Sequence, residues 1–100
     1  SMKRARRLVD ALRAKESRSL FLIVCVQDTK VTLLLGVTAD VLFQFDASAL
    51  MPLLTPIVGG QGGGGRPDFA QGGGSDPKNL QALQSAFEQA VAQQVKPSPS

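Results

Sequence analysis

The sequence predicts an α/β domain of the α+β kind: a small, mainly antiparallel sheet of three to four strands packed against helices, entered through an N-terminal helix. Three observations carry that expectation. Two aliphatic runs, Leu20–Val26 and Val31–Val37, are separated by the polar tetrapeptide Gln27-Asp28-Thr29-Lys30, as in a β-hairpin. Apolar residues recur at helical spacing on either side of that pair, at 5–12 and again at 80–91. The 100 residues include 13 Leu and 5 Phe but no Trp or Tyr, which suits the compact aliphatic core of one small domain.

Taken in order, Ala5, Leu8, Val9 and Leu12 mark one apolar face and predict a helix over Lys3–Glu16. Cations crowd its start, the wrong sign for a helix dipole, so the helix reads as the end of a longer one. Ser1-Met2 reads as an added remnant before an internal start. Arg4, Arg7 and Arg18 would share a flank if the helix ran that far, with Arg6 and Arg13 on another. Arg6–Asp10 and Arg13–Glu16 are spaced to pair along a solvated face.

The two aliphatic runs are apolar at nearly every position, which predicts burial on both faces under helices. Gly36 and Thr38-Ala39-Asp40 should break the second strand, and Val41–Phe45 has no assignable type. Asp46 or Ser48 can cap a following helix whose inner face holds Leu50, Leu53, Leu54, Ile57 and Val58. Pro52 is tolerable in the first turn or so, and Pro56 should distort the end. After a glycine-rich stretch, Asp76 as cap and Pro77 as first residue predict a last helix carrying Leu80, Leu83, Phe87, Ala90 and Val91 to about Gln94. The tail 96–100 should fray.

Composition excludes several chemistries. With one cysteine, Cys25, and no histidine, neither an internal disulfide nor a Cys/His zinc site can form, and nucleophilic triads lack their base. Cys25 reads as a small buried hydrophobe, which suits a reduced, cytoplasmic setting. The apolar runs are too short to span a bilayer, so a soluble protein is expected. Arg66-Pro67 stands where a Walker loop needs Gly-Lys-Ser/Thr. Asp68 and Asp76 read as a local ion-pair partner and a helix cap, not as metal ligands. Charge is uneven: residues 1–18 hold seven basic groups against Asp10 and Glu16, a local +5, and the rest of the chain sums to −2. Such asymmetry points to an anionic partner at one end.

Nine of the ten glycines fall between Gly59 and Gly74. A flexible linker is one reading. The other is a backbone that passes close to a second backbone or a ligand, where only glycine leaves room. Exposed amides of such a loop can cradle an anion, and Arg66 adds a permanent charge able to hold a phosphate. The loop should lie between the middle helix and a strand around Phe69–Gln71.

The run Gly62-Gly63-Gly64-Gly65-Arg66-Pro67-Asp68-Phe69-Ala70-Gln71-Gly72-Gly73-Gly74 closely resembles the signature of the DHHA1 nucleic-acid-binding domain, in the form found at the C-terminus of alanyl-tRNA synthetases. The resemblance extends from about Leu20 to Val95. Gly72 and Phe69 stand where alanine and methionine are more usual, and the extra glycine should loosen the strand locally. The resemblance implies an organisation of 3–18 as the end of a helical arm, 19–95 as the globular domain and 96–100 as tail. It implies contact with the outer corner of tRNA in support of aminoacylation and editing, through Gly62, Gly63, Gly64, Gly65, Arg66 and Gln71. Arg4 and Arg7, read from the charge cluster, join that set. It also implies partners: tRNA (alanine tRNA for the whole enzyme), the editing and catalytic domains of the same chain, and a homodimer through the helical arm, with no membrane. No cofactor is expected in this stretch, while ATP, magnesium and an editing-domain zinc are implied for the whole enzyme. Two alternatives remain: the related domain of a DHH-family phosphoesterase, whose motif usually carries a histidine absent here, and an oligomerisation module without RNA contact.

RNA recognition by stacking would need exposed aromatics. Phe21, Phe69 and Phe87 fit core positions, whereas Phe43 or Phe45 could stand free.

Overall fold

A computed structural model describes residues 2–94; the expected boundary at 95 and the tail lie outside the described residues, as does Ser1. The chain runs α1 (Met2–Lys15), β1 (Leu20–Gln27), β2 (Lys30–Val37), a 3-10 turn (Ala39–Val41), α2 (Ala47–Leu54) with a 3-10 extension (Thr55–Val58), β3 (Gly64–Arg66), β4 (Phe69–Gly74) and α3 (Leu80–Gln94). The four strands form one antiparallel sheet in the order β1-β2-β4-β3. This is the α+β architecture that the aliphatic runs and flanking helical periodicities predict.

Alternation along the strands sorts side chains between two layers. Val31, Leu33, Leu35, Val37 and Ala70 face α2 and α3 and pack with Leu50, Met51, Leu54, Val58 and Leu83. Leu34 and Phe69 face the opposite side, where Ala5 and Val9 of α1 close over them beside half-buried Ile23 and Cys25. Gly36 does not break β2. A Cβ there would lie 2.7 Å from Val9 Cγ1, so the missing side chain is what lets α1 approach.

Several expectations are corrected. Two-sided burial holds for β2 but not for β1, an edge strand whose Val24 and Val26 are exposed. Cys25 is accordingly only half-buried. The hairpin turn is just Asp28-Thr29, with Asp28 in the left-handed region at φ 55°, which Asp tolerates better than most residues. Helix α1 stops at Lys15, so Arg18 does not share its flank. Leu8 of its predicted apolar face is 48% exposed.

Asp46 does cap α2, accepting from the Ser48 amide at 2.9 Å. Pro52 is the sixth residue of that helix, beyond the first turn, and leaves the Ser48 carbonyl without its helical donor. The helix tightens to 3-10 geometry at Thr55, where Pro56 follows. Leu53 points outward and Met51 takes the buried place instead. Helix α3 starts at Leu80, not at Pro77. Asp76 is held by its amide on the Val58 carbonyl at 2.9 Å, and its carboxylate accepts from Lys78 N at 2.9 Å, which makes a turn before the helix.

Candidate nucleic-acid interface

The glycine stretch is not a linker. From Gly59, whose φ of 76° ends the 3-10 extension, the chain crosses the end of the core and returns as the hairpin β3–β4. Buried Thr55 donates its hydroxyl to the Gly62 carbonyl at 2.9 Å, and the Gly60 amide donates to the Thr55 carbonyl at 2.9 Å. The two-residue turn Pro67-Asp68 is pinned from two sides. Its Pro67 carbonyl accepts the Ala47 amide at the start of α2, and its Asp68 carbonyl accepts the Val37 amide. The loop is therefore built to shape.

The four glycines of the motif divide by cause. A Cβ on Gly63 would press on Met51, and one on Gly65 would overlap the Phe69 carbonyl. Packing accounts for both. A Cβ on Gly62 or Gly64 would meet nothing within 4 Å. Gly62 still needs its left-handed φ of 67°, but Gly64 has neither reason. Its register partner is Gln71, and Arg66 pairs with Phe69. By alternation Gly64, Arg66, Gln71 and Phe69 all point to the α1 side of the sheet. The result there is a bare strip of backbone flanked by an exposed guanidinium and an exposed amide.

Helix α1 contributes Arg6 to this face, with its guanidinium 5.2 Å from the centroid of the Phe69 ring. Arg13, one helical turn pair further on, reaches Asp68, which also lies 3.4 Å from Arg66 Nε. Asp68 is thus an ion-pair partner as expected, locally for Arg66 and at long range for Arg13. Arg13 turns to Asp68 and away from its predicted role beside Glu16. Arg4 and Arg7 are exposed, yet helical spacing places Arg4 on the flank far from Arg6 and Arg7 on the outward crest. The structure therefore brings Gly64, Arg66 and Gln71 together on one face and adds Arg6; it does not bring Arg4 and Arg7 to them. Arg6 was legible only as a member of the other flank, since its neighbour Phe69 is distant in sequence.

Beyond the hairpin, a shallow groove on the sheet is lined by Lys30, Thr32, Gln71 and the glycines 72–74. Phe43 is 54% exposed, in an open cleft with Arg18, Asp40 and Gln44, whereas Phe45 packs against the core. The joint between α1 and β1 is fixed by Asp40. Its carboxyl is held below the ordinary aspartate value by the Thr38 hydroxyl at 2.6 Å and the Arg18 amide at 3.0 Å. That amide belongs to a residue in left-handed conformation, φ 52°.

Residues 1–93 match the model of the DHHA1 domain. The chain belongs to the DHHA1 domain family. Curated relatives include the alanine–tRNA ligase of Pseudomonas syringae pv. tomato, 48% identical over 84 residues, which covers 84% of this chain and 9% of that protein. The alanine–tRNA ligase of Dechloromonas aromatica is 44% identical over 77 residues, covering 77% and 9%. This DHHA1 chain thus spans about a tenth of the length of the curated relatives it matches. Among solved structures, the C-Ala domain from Aquifex aeolicus alanyl-tRNA synthetase superimposes with a TM-score of 0.80 at 26% identity, over 87% of this chain and 78% of that one. These matches bear out the family and the synthetase C-terminal form read from the glycine motif. Among the described residues, no helix of this DHHA1 domain is long and apolar enough to cross a membrane.

Proposed function

We propose that this chain binds tRNA as the C-terminal domain of an alanine–tRNA ligase, seating the RNA on the α1 side of the β3–β4 hairpin. One observation carries the reading: Gly64 is a glycine with no packing or backbone reason to be one, and it lies between Arg66 and Gln71. A side-chain-free strip beside a permanent cation lets a phosphate or a flat base pair come up against the backbone. The relatives' names give the RNA its class.

In this reading Arg66 and Arg6 supply charge, Gln71 offers an amide, and the side-chain-free backbone of the glycine stretch lets an anion approach closely. Arg4 and Arg7 act at longer range, raising the local cation density that draws in the acceptor. Recognition is of backbone and shape, so it does not single out alanine tRNA; that choice belongs to the parts of the parent outside this chain. The ligase reaction with ATP and magnesium, and the zinc-dependent editing step, are assigned to those parts as well.

The test is tRNA binding by the isolated chain at low and moderate salt, with Arg66→Ala, Arg4→Ala and Arg7→Ala as single variants. Expected are weak binding that falls steeply with salt, a large loss for Arg66→Ala and small, salt-sensitive losses for Arg4→Ala and Arg7→Ala. Absence of binding by the intact chain at low salt would overturn the reading.

A further inference from the structure

Phe43 is 54% exposed, whereas Phe21, Phe45, Phe69 and Phe87 are buried or half-buried. It lies in the segment between β2 and α2 and belongs to neither layer of the core. Its neighbours fix how it is presented. Val41 and Phe45 take the inward positions on either side, and the amides of Gln44 and Phe45 both donate to the Val41 carbonyl, at 3.0 and 3.1 Å. The turn therefore holds the Phe43 ring outward on a fixed backbone. Two open clefts share that ring as a wall. One is lined by Arg18, Asp40 and Gln44, the other by Gln44, Ala49 and Pro67.

The segment is fastened at both ends beside a cation. At its start Asp40 accepts the Arg18 amide at 3.0 Å, and the Thr38 amide donates to the Ser19 carbonyl at 3.0 Å. At its end the Ala47 amide donates to the Pro67 carbonyl at 2.9 Å, one residue past Arg66. Phe43 is thus held at one end of the sheet, between Arg66 at the hairpin turn and Arg18 at the joint of α1 and β1. Both arginines are exposed. The carboxylates of the segment are turned to its own donors: Asp40 to the Thr38 hydroxyl and the Arg18 amide, Asp46 to the Ser48 amide. An aromatic face between two permanent cations, with a side-chain amide beside it, is the composition of a nucleic-acid stacking platform.

We infer that Phe43 is the floor of a nucleobase subsite: one unstacked base of the bound RNA lies on its ring, Gln44 meets the edge of that base, and Arg18 and Arg66 take the phosphates to either side. The inference rests on the tRNA reading above for its class of ligand, but apart from Arg66 its residues are separate from the glycine strip. The two kinds of contact respond differently to salt. Arginine–phosphate contacts release counterions, so losing one reduces the slope of log affinity against log salt. A stacked ring releases none, so losing it lowers affinity by the same factor at every salt concentration.

Binding of tRNA across a salt series tests this with the parent chain, Phe43→Leu, Phe43→Trp and Arg18→Gln. Leucine keeps an apolar side chain but removes the π face, and affinity should fall roughly five- to a hundredfold with the slope unchanged. Arg18→Gln should instead reduce the slope by about one. The chain has no tryptophan or tyrosine, so Phe43→Trp introduces its sole indole. That variant should bind at least as tightly as the parent, and its emission should be quenched when tRNA is added. Because Phe43 is already exposed, the leucine and tryptophan variants should unfold in urea at the parent's midpoint. A leucine variant that binds like the parent, or an indole whose emission tRNA leaves unchanged, would overturn the subsite and leave the tRNA reading standing. So would a slope that drops with Phe43→Leu or stays put with Arg18→Gln. Absence of binding by the parent chain would overturn both.

Discussion

Arg13 Nη2 meets Asp68 Oδ2 at 2.7 Å, across 55 residues of sequence. The same guanidinium donates from Nε to the Val37 carbonyl at 3.2 Å, and Val37 in turn donates its amide to the Asp68 carbonyl. One side chain of α1 therefore closes a ring that holds the end of β2, the Pro67-Asp68 turn and the helix together. The turn carries Arg66 one residue before it, so the orientation of the proposed RNA face is set by the helix that leads into the domain.

Arg13→Ala is expected to destabilise the domain by about 1.5–3 kcal/mol, the range for hydrogen bonds to charged groups at partly buried sites. Side-chain exposure of 25% and 26% keeps the pair out of the class of fully solvated bridges. Urea unfolding of Arg13→Ala, Asp68→Asn and the double variant gives the coupling. Additive losses would mean that the two side chains act separately.

Gly65→Ala and Gly64→Ala should part company. A methyl on Gly65 overlaps the Phe69 carbonyl, and the expected cost is about 1–3 kcal/mol or more. A methyl on Gly64 meets nothing, so the unfolding midpoint should barely move while tRNA affinity drops. Equal stability losses at both positions would remove the case for Gly64 as a contact surface.

At Gly72 the packing leaves no room for a side chain. A Cβ there would lie 2.6 Å from Thr55 Cγ2 and 2.8 Å from Met51 Sδ, both on fully buried residues. Gly72→Ala should therefore lower stability by about 1–2 kcal/mol despite the better strand propensity of alanine. Adding Met51→Ala should recover part of the overpacking cost; thermal unfolding of the single and double variants reads this out.

Asp40 makes the joint between α1 and β1 sensitive to acid. Because the Thr38 hydroxyl and then the Arg18 amide hold its folded value below the ordinary 3.8, the carboxylate contributes stability above the unfolded value. That contribution shrinks as pH falls through the folded value. The melting temperature of the parent chain should exceed that of Asp40→Asn by a constant margin above about pH 5, and the margin should close toward strong acid. A margin that does not change with pH would rule the carboxylate charge out as its source.

Much of this fold was legible because local chemistry and tertiary outcome agree. Two aliphatic runs around Asp28-Thr29 became the hairpin, Asp46 became a cap, and the glycine motif became a shaped loop. Strand β3 was not legible: three residues, two of them glycine and followed by proline, carry no strand propensity of their own and pair only because β4 is there. The start of α3 moved because Asp76 spends its amide on Val58 and its carboxylate on a turn.

The candidate face was half legible for a related reason. Gly64, Arg66 and Gln71 sit in one motif, and the resemblance of that motif to the DHHA1 signature pointed to them. Arg6, Arg13 and the division of labour among the glycines depend on which helix lands on which strand, and no local pattern encodes that. The uniform apolarity of β1 was read as two-sided burial; within one chain only β2 achieves it.

The most direct measurement is an amide chemical-shift titration of the isotopically labelled chain with tRNA at low salt. The account predicts that the amides of Gly62–Arg66 and Gln71, together with that of Arg6 on α1, shift first and broaden, while those of β1 and α3 stay in place. Shifts confined to β1 and α3, or spread over Arg4 and Arg7 with the glycine amides unmoved, would contradict it.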